Sequence, residues 1–200
     1  MTKRKSKSLL IIFYRNPELG KVKTRLAASI GDAKAYSIYL LLAEHTRNIV
    51  EKLMLHKILY YTDFIDPEDN WSTAIDEKQL QLGNDLGEKM ETAFKTGFDS
   101  GYKSICIIGT DCLDLNTRTI KEAFRKLSTH DVVIGPAVDG GYYLLGMNHL
   151  HPVVFKNKDW GTNSVLSDTL HDLKISGLSF WQLVTLNDID RVEDLPPNFR

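Results

Sequence analysis

Strand-length and helix-length segments alternate along almost the whole chain. Short apolar runs, such as SLLIIFY at 8–14 and SICIIGT at 104–110, are typical of strands that are covered on both faces. Between such runs, apolar residues recur every three or four positions, most regularly over 32–53, as they do in amphipathic helices. This alternation predicts an α/β domain with an open, mostly parallel sheet.

The remaining segments continue the same pattern. Further strands are predicted at 57–62, 79–82, 131–137, 141–147 and 180–184, and further helices at 86–100, 117–128 and 162–174. No repeat or linker divides the chain. We therefore expect a disordered basic tail at 1–7, followed by a single domain at 8–200.

Charge and composition exclude several classes of partner. The 25 basic and 26 acidic side chains nearly cancel, so no overall field favours nucleic acid or a membrane surface. No apolar run approaches the roughly 20 residues that cross a bilayer. The 2 cysteines suit neither a zinc site nor a disulfide framework. These features predict a cytoplasmic protein that binds neither nucleic acid nor membrane.

A basic loop, RNPELGKVKTRLA at 15–27, follows the first predicted strand. It contains a turn at Gly20 and three cations, Lys21, Lys23 and Arg25, ahead of a short predicted helix. The loop matches neither the P-loop pattern nor the dinucleotide-binding glycine pattern. Backbone N–H groups and cations could converge there on a polyphosphate, or the loop could be a solvated basic turn.

Acidic residues follow two other predicted segments. Asp111 comes directly after a buried strand, with Asp114 three residues later, and Asp188 and Asp190 lie two apart near the end of the chain. Carboxylates at a strand end are typical ligands of Mg²⁺ or Mn²⁺. The alternatives are local: Asp114 could cap a helix, and Asp190 with Glu193 could form a capping box.

The sequence Asp139-Gly140-Gly141 lies between two predicted strands. A hairpin turn explains it adequately, because glycine and aspartate are common in such turns. Paired glycines also permit a close approach of the backbone to a ligand. Both interpretations stay open at this point.

Six motifs together resemble a known family. In chain order they are NPELGKVKTRLA, GNDLGEKM, GTDCLDL, GPAVDGGYYLLG, DWGTNSVL and DIDRVEDL. They are similar to motifs of bacterial nucleotide-diphospho-sugar transferase-like proteins, whose members carry labels such as domain of unknown function or arsenosugar biosynthesis glycosyltransferase-like. A more distant similarity connects them with phospholactate guanylyltransferase and molybdenum-cofactor nucleotidyltransferases. The resemblance implies the GT-A fold, a Rossmann-like three-layer α/β sandwich with a mostly parallel central sheet.

The resemblance also implies roles for individual residues. The nucleotide-phosphate loop would contain Gly20, Lys21, Lys23 and Arg25, and the base or ribose would face Asn84, Asp85 and Gly87. The sugar or acceptor side would contain Asp139, Gly140, Gly141, Trp160 and Thr162. The implied metal ligands for Mg²⁺ or Mn²⁺ are Asp111 and one or both of Asp188 and Asp190.

The implied function is that of a metal-dependent, glycosyltransferase-like enzyme. A nucleotide-diphospho-sugar would be the donor and a small molecule the acceptor, with Lys23, Asp111 and Asp139 as catalytic residues and Asp139 as the candidate base. One alternative is a nucleotidyltransferase that takes a nucleoside triphosphate and releases pyrophosphate. The other is a nucleotide-binding module without catalytic activity.

Overall fold

Seven strands form one sheet in the order β3-β2-β1-β4-β6-β5-β7 in the computed structural model, which describes residues 7–199. The strands are β1 (Ser8–Tyr14), β2 (His56–Tyr61), β3 (Glu77–Leu80), β4 (Ser104–Ile108), β5 (Val132–Pro136), β6 (Tyr142–Met147) and β7 (Phe180–Gln182). Apart from Lys7, the predicted tail at 1–7 lies outside the described residues.

The strand directions confirm the predicted, mostly parallel sheet. β1 lies between β2 and β4, parallel to both, and β3 and β7 also pair in parallel with their neighbours. β6 is antiparallel to both β4 and β5, because a tight turn connects β5 directly to β6. The carboxyl ends of β1, β2, β3 and β4 therefore meet at one edge, where ligands of open α/β sheets bind.

Five α-helices cover the two faces of the sheet in the described part of the chain. They are α1 (Thr24–Ile30), α2 (Asp32–Glu51), α3 (Leu86–Asp99), α4 (Thr117–Lys126) and α5 (Val165–Ile175). None of them is long and apolar enough to span a membrane. Because successive side chains of a strand point to opposite faces, β1 contributes to two separate cores. One core contains Leu10, Ile12, Tyr39 of α2 and Ile120 of α4. The other contains Leu9, Ile11, Phe94 of α3 and Leu173 of α5.

A third, smaller cluster places the end of the chain beside the basic loop. Leu26 of α1 and Ala35 of α2 pack there against Ile189 and Leu195. The Ile189 N–H also donates a hydrogen bond of 2.9 Å to the Asp111 carbonyl oxygen. The segment that carries Asp188 and Asp190 is therefore fixed against both α1 and the end of β4.

The predicted and observed boundaries differ most around residue 162. The helix predicted at 162–174 begins only at Val165, because Thr162 closes a turn by donating from its backbone N–H and its hydroxyl to the Asp159 carbonyl oxygen. Gly161 has a φ of +88° in this turn, which no helix accommodates. The strand predicted at 79–82 begins two residues earlier, at Glu77.

Candidate active site

A cleft of about 720 Å³ opens at the carboxyl edge of the sheet. Its lining includes four cations, Arg15, Lys23, Arg25 and Lys89. It also includes four acids, Asp85, Asp111, Asp188 and Asp190. The structure thus brings residues from the basic loop, the end of β4 and the end of the chain into one space.

Lys23 occupies an unusual backbone conformation at the start of α1. Its φ of 49° and ψ of 42° are left-handed, a region that costs a non-glycine residue about 1 kcal/mol. The side chain is only 6% exposed, and its Nζ lies 3.0 Å from Asp111 Oδ2. Strained backbone of this kind concentrates at functional sites, where the surrounding structure maintains it.

Asp188 is the most perturbed acid of the cleft. Its Oδ1 is buried and accepts no hydrogen bond from the described residues. Burial, followed by repulsion from Asp111 and Asp139, raises the pKa of Asp188 to about 7, although the positive charge of Lys23 opposes this shift. A buried carboxylate oxygen without a donor, beside a second carboxylate, fits a divalent cation. Asp111 and Asp188 are therefore the best candidates for cation ligands.

Asp190 interacts with a cation from the protein. Its Oδ2 accepts a hydrogen bond of 2.8 Å from Arg25 Nη1, near the surface. The capping box expected at Asp190 and Glu193 is wrong by one residue. The Asp194 carboxylate instead accepts the backbone N–H groups of Asp190 and Arg191, at 3.1 and 2.7 Å.

The other local alternative, Asp114 as a helix cap, is wrong too. Asn116 caps α4, since its Oδ1 accepts the Thr119 N–H at 3.1 Å. Among the described residues, no three His, Cys, Asp or Glu side chains are grouped closely enough to hold a metal ion. A third protein ligand, Asp190 in the sequence analysis, stays a prediction.

The basic loop divides into an inner and an outer part. Lys23 and Arg25 line the cleft, whereas Gly20 and Lys21 do not. Lys21 is 71% exposed and forms a 2.8 Å ion pair with Glu18, three residues earlier. Gly20, with a φ of +78°, makes the turn that separates the two parts.

The predicted base or ribose loop also divides. Asn84 and Asp85 line the cleft, and Asp85 caps α3 by accepting the Glu88 N–H at 2.9 Å. Gly87 packs elsewhere. A Cβ added to it would lie 2.5 Å from Trp160 Nε1, so Gly87 makes room for the indole ring.

The residues predicted for the acceptor side do not line the cleft. This group comprises Asp139, Gly140, Gly141, Trp160 and Thr162. Gly140 has a φ of +91°, and a Cβ there would lie 2.3 Å from the Asn163 carbonyl oxygen. Trp160 packs edge-on against Tyr142, whose ring does line the cleft. Asp139 accepts the Gly141 N–H at 2.9 Å, which closes the turn between β5 and β6.

Two cations of the cleft lie outside the predicted site. Arg15 is the first residue after β1, so the rule that ligands bind beyond strand ends was sufficient to find it. Lys89 lies in the first turns of α3, within the motif GNDLGEKM, where the family that the sequence resembles commonly has arginine. Because lysine offers a point charge in place of a bidentate fork, the sequence did not predict a phosphate role for it. Neither residue forms an ion pair within residues 7–199. They are the cations of the cleft that are available to an incoming anion.

Comparisons with known proteins agree with this architecture. A family model described as "Uncharacterized protein conserved in bacteria (DUF2064)" matches residues 45–162. A "putative nucleotide-diphospho-sugar transferase" from Desulfovibrio desulfuricans G20 is 32% identical, with a TM-score of 0.87 over 94% of this chain and 84% of that chain. No curated protein matches the chain.

More distant structures share the fold. A 4-diphosphocytidyl-2C-methyl-D-erythritol synthase is 10% identical, with a TM-score of 0.55 over 96% of both chains. The glucosyl-3-phosphoglycerate synthase of Mycobacterium tuberculosis is 8% identical, with a TM-score of 0.55 over 92% of this chain and 71% of that chain. Together these likenesses confirm the predicted GT-A, Rossmann-like fold class.

Proposed function

This chain belongs to the bacterial family DUF2064, and from that premise we propose that it is a metal-dependent transferase acting on a nucleotide-activated substrate. A nucleotide-diphospho-sugar is the proposed donor, in keeping with the name of the relative from D. desulfuricans G20. One observation carries the proposal. The Lys23–Asp111 ion pair lies in a cleft at the strand ends, next to the buried carboxylate of Asp188.

Asp111 and Asp188 would hold Mg²⁺ or Mn²⁺ in this proposal. Support comes from the Asp188 oxygen that has no hydrogen-bond donor and from the preference of these ions for carboxylate oxygen. When bound, the ion would neutralise negative charge that develops on the departing diphosphate. The remaining work falls to side chains of this chain.

Those side chains bind phosphate and receive a proton. Lys23 and Arg25, which line the cleft, bind phosphate oxygens of the donor. The acceptor hydroxyl oxygen forms a bond to the sugar carbon, while the bond from that carbon to the diphosphate oxygen breaks. Asp139 is the proposed base for the hydroxyl proton: it lies on the turn between β5 and β6, outside the lining of the cleft but near enough to Asp188 to raise the pKa of that acid.

A nucleotidyltransferase is the second candidate, and the number of cations that line the cleft favours it. Four lining cations suit a nucleoside triphosphate, which carries more negative charge than a nucleotide sugar. In that reaction, an acceptor phosphate or hydroxyl oxygen attacks the α-phosphorus, and pyrophosphate leaves. The cation and phosphate ligands would be the same as in sugar transfer.

Product analysis separates the candidates. We would incubate the protein with panels of nucleotide sugars and nucleoside triphosphates, each with Mn²⁺ or Mg²⁺. Release of nucleoside diphosphate indicates sugar transfer, and release of pyrophosphate indicates nucleotidyl transfer. Nucleotide binding without either product would leave a non-catalytic module.

An Asp111→Asn variant tests the assigned site. We expect it to fold and to lose metal-dependent turnover, because Asp111 is partly exposed and its carboxylate contacts Lys23 alone among charged side chains of residues 7–199. Asp114→Asn is the matched control, since Asp114 is exposed and lies outside the cleft. Full metal-dependent activity in folded Asp111→Asn would contradict the proposed site.

A further inference from the structure

The Lys23–Asp111 ion pair is unequally buried. The Lys23 side chain is 6% exposed, whereas the Asp111 side chain is 46% exposed. The ammonium group thus lies on the inner side of the carboxylate, close enough to Asp188 to oppose the upward shift of its pKa. One protein cation thus already contacts Asp111 and acts electrostatically on Asp188, the two carboxylates that we assign to a divalent ion.

We propose that Lys23 is an internal counter-ion that fills the Asp111–Asp188 cation site until a nucleotide phosphate draws its ammonium group away. This regulation rests on the proposed function. It predicts that a divalent cation alone binds weakly and that cation and nucleotide promote each other's binding.

Electrostatic repulsion by Lys23 explains why a divalent cation alone should bind weakly. A divalent ion that coordinates Asp111 comes within a few ångströms of Lys23 Nζ, which lies 3.0 Å from Asp111 Oδ2. Like charges at such a distance in a partly buried site repel strongly. The cation must therefore displace the ammonium group or bind with greatly reduced affinity.

The backbone of Lys23 determines which part of the residue can move when the ammonium group is displaced. Lys23 is the N-cap of α1, and its carbonyl oxygen accepts the Ala27 N–H at 2.8 Å. Because this hydrogen bond holds the Lys23 backbone against the helix, the flexible four-carbon side chain is the part that moves. A phosphate group gives the displaced ammonium a new anionic partner, which makes the exchange favourable only when both ligands arrive.

Thermodynamic linkage makes the effect reciprocal. If a nucleoside diphosphate raises the affinity for Mn²⁺ by some factor, Mn²⁺ raises the affinity for the nucleotide by the same factor. Removing the Lys23 charge should loosen this coupling, because the cation site is then open without phosphate. The coupling factor is thus a measure of the counter-ion role that does not depend on turnover.

The test compares wild type, Lys23→Met and Lys21→Met. Methionine preserves most of the side-chain length without the charge, and Lys21 is the matched control because it is exposed and paired with Glu18 in the same loop. Mn²⁺ binding without nucleotide is measured by electron paramagnetic resonance or calorimetry at low salt. We expect Lys23→Met to bind Mn²⁺ at least about tenfold more tightly than wild type, with Lys21→Met unchanged.

A second measurement gives the coupling. The affinities for ADP, GDP, CDP and UDP are each determined with and without saturating Mn²⁺, in wild type and in Lys23→Met. We expect a large enhancement by Mn²⁺ in wild type and a clearly smaller one in the variant.

The outcomes separate the counter-ion role from the proposed function. Equal Mn²⁺ affinity in wild type and Lys23→Met, an equal gain in Lys21→Met, or no Mn²⁺ binding to either variant would overturn the counter-ion role. Nucleotide binding and turnover with Mn²⁺ would keep the proposed function even then. Conversely, a gain confined to Lys23→Met without binding of any nucleotide would keep Lys23 as the occupant of the cation site, but would overturn both its release by phosphate and the proposed function.

Discussion

Replacing Asp188 by asparagine should change how the stability of the fold depends on pH. Asp188 has a pKa of about 7 in the folded protein, against 3.8 for the ordinary side chain, chiefly because it is buried. Between these two values the folded state binds more protons than the unfolded state. The free energy of unfolding of wild type should therefore fall as pH rises from about 4 to about 7, and then level off.

The size of this fall in the free energy of unfolding follows from the pKa shift of Asp188. One pKa unit corresponds to about 1.4 kcal/mol, so the whole shift would cost at most about 4 kcal/mol above neutral pH. Asp188 lines an open cleft and keeps part of its hydration, so we expect about 2 kcal/mol. The Asp188→Asn side chain carries no charge at any pH. The pH-dependent loss of stability that Asp188 causes should therefore be absent from the variant.

Urea unfolding measures this difference. The free energy of unfolding of wild type and of Asp188→Asn is determined at about five pH values between about 4.5 and 8, the range over which the shifted pKa acts. Relative to wild type, Asp188→Asn should gain about 2 kcal/mol between the two ends of this range. Asp190→Asn is the control, because it removes the same charge from the same segment but from a surface pair with Arg25. If the free energy of unfolding of Asp188→Asn declined with pH as that of wild type does, the burial argument would be refuted. If Asp190→Asn lost the decline as completely as Asp188→Asn, the cause would be the loss of a charge in general and not burial.

Three further predictions concern the cleft and the turn behind it. Lys23→Ala should weaken nucleoside diphosphate binding in the presence of Mn²⁺ by about tenfold at low salt and by less at high salt, as calorimetry would show. Arg25→Ala should cost less than about 1 kcal/mol in urea unfolding, because its pair with Asp190 lies at the surface. Gly140→Ala should cost about 3 kcal/mol in the same assay, since backbone strain adds to a clash at 2.3 Å. The matched control for Gly140→Ala is Gly101→Ala, which has a similar φ with open space around it and should cost only about 1 kcal/mol.

The position of the cleft could be predicted from the sequence because it depends on strand direction alone. Buried apolar runs and the helices between them predict parallel strands, and parallel strands end at one edge. Asp111 and the basic loop both follow such strands, so their proximity needed no knowledge of side-chain contacts. Arg15 obeys the same rule, since it follows β1 directly and lines the cleft, although it lies before the turn at Gly20 that precedes the predicted cations.

The individual roles within each motif could not be predicted, because they depend on packing between distant segments. Lys21 and Lys23 are equivalent in a sequence pattern, but the left-handed backbone at Lys23 turns one inward and leaves the other in solvent. Gly87 and Gly140 both suggest a close approach to a ligand. Both glycines do allow other atoms to come close, but these atoms belong to Trp160 and to the backbone of Asn163.

The cations of the cleft differ in whether they are already paired with an acid. Four cations and four acids line it, and two of the cations, Lys23 and Arg25, already contact acids. The polyphosphate of the proposed function would therefore meet a nearly neutral site, in which Arg15 and Lys89 would provide the initial attraction. Tight binding requires that ion pairs within the protein be exchanged for pairs with phosphate, and the displaced carboxylates then need a cation of their own. In the proposed function, this exchange of partners would itself require a divalent metal, apart from any role of the metal in the chemical step.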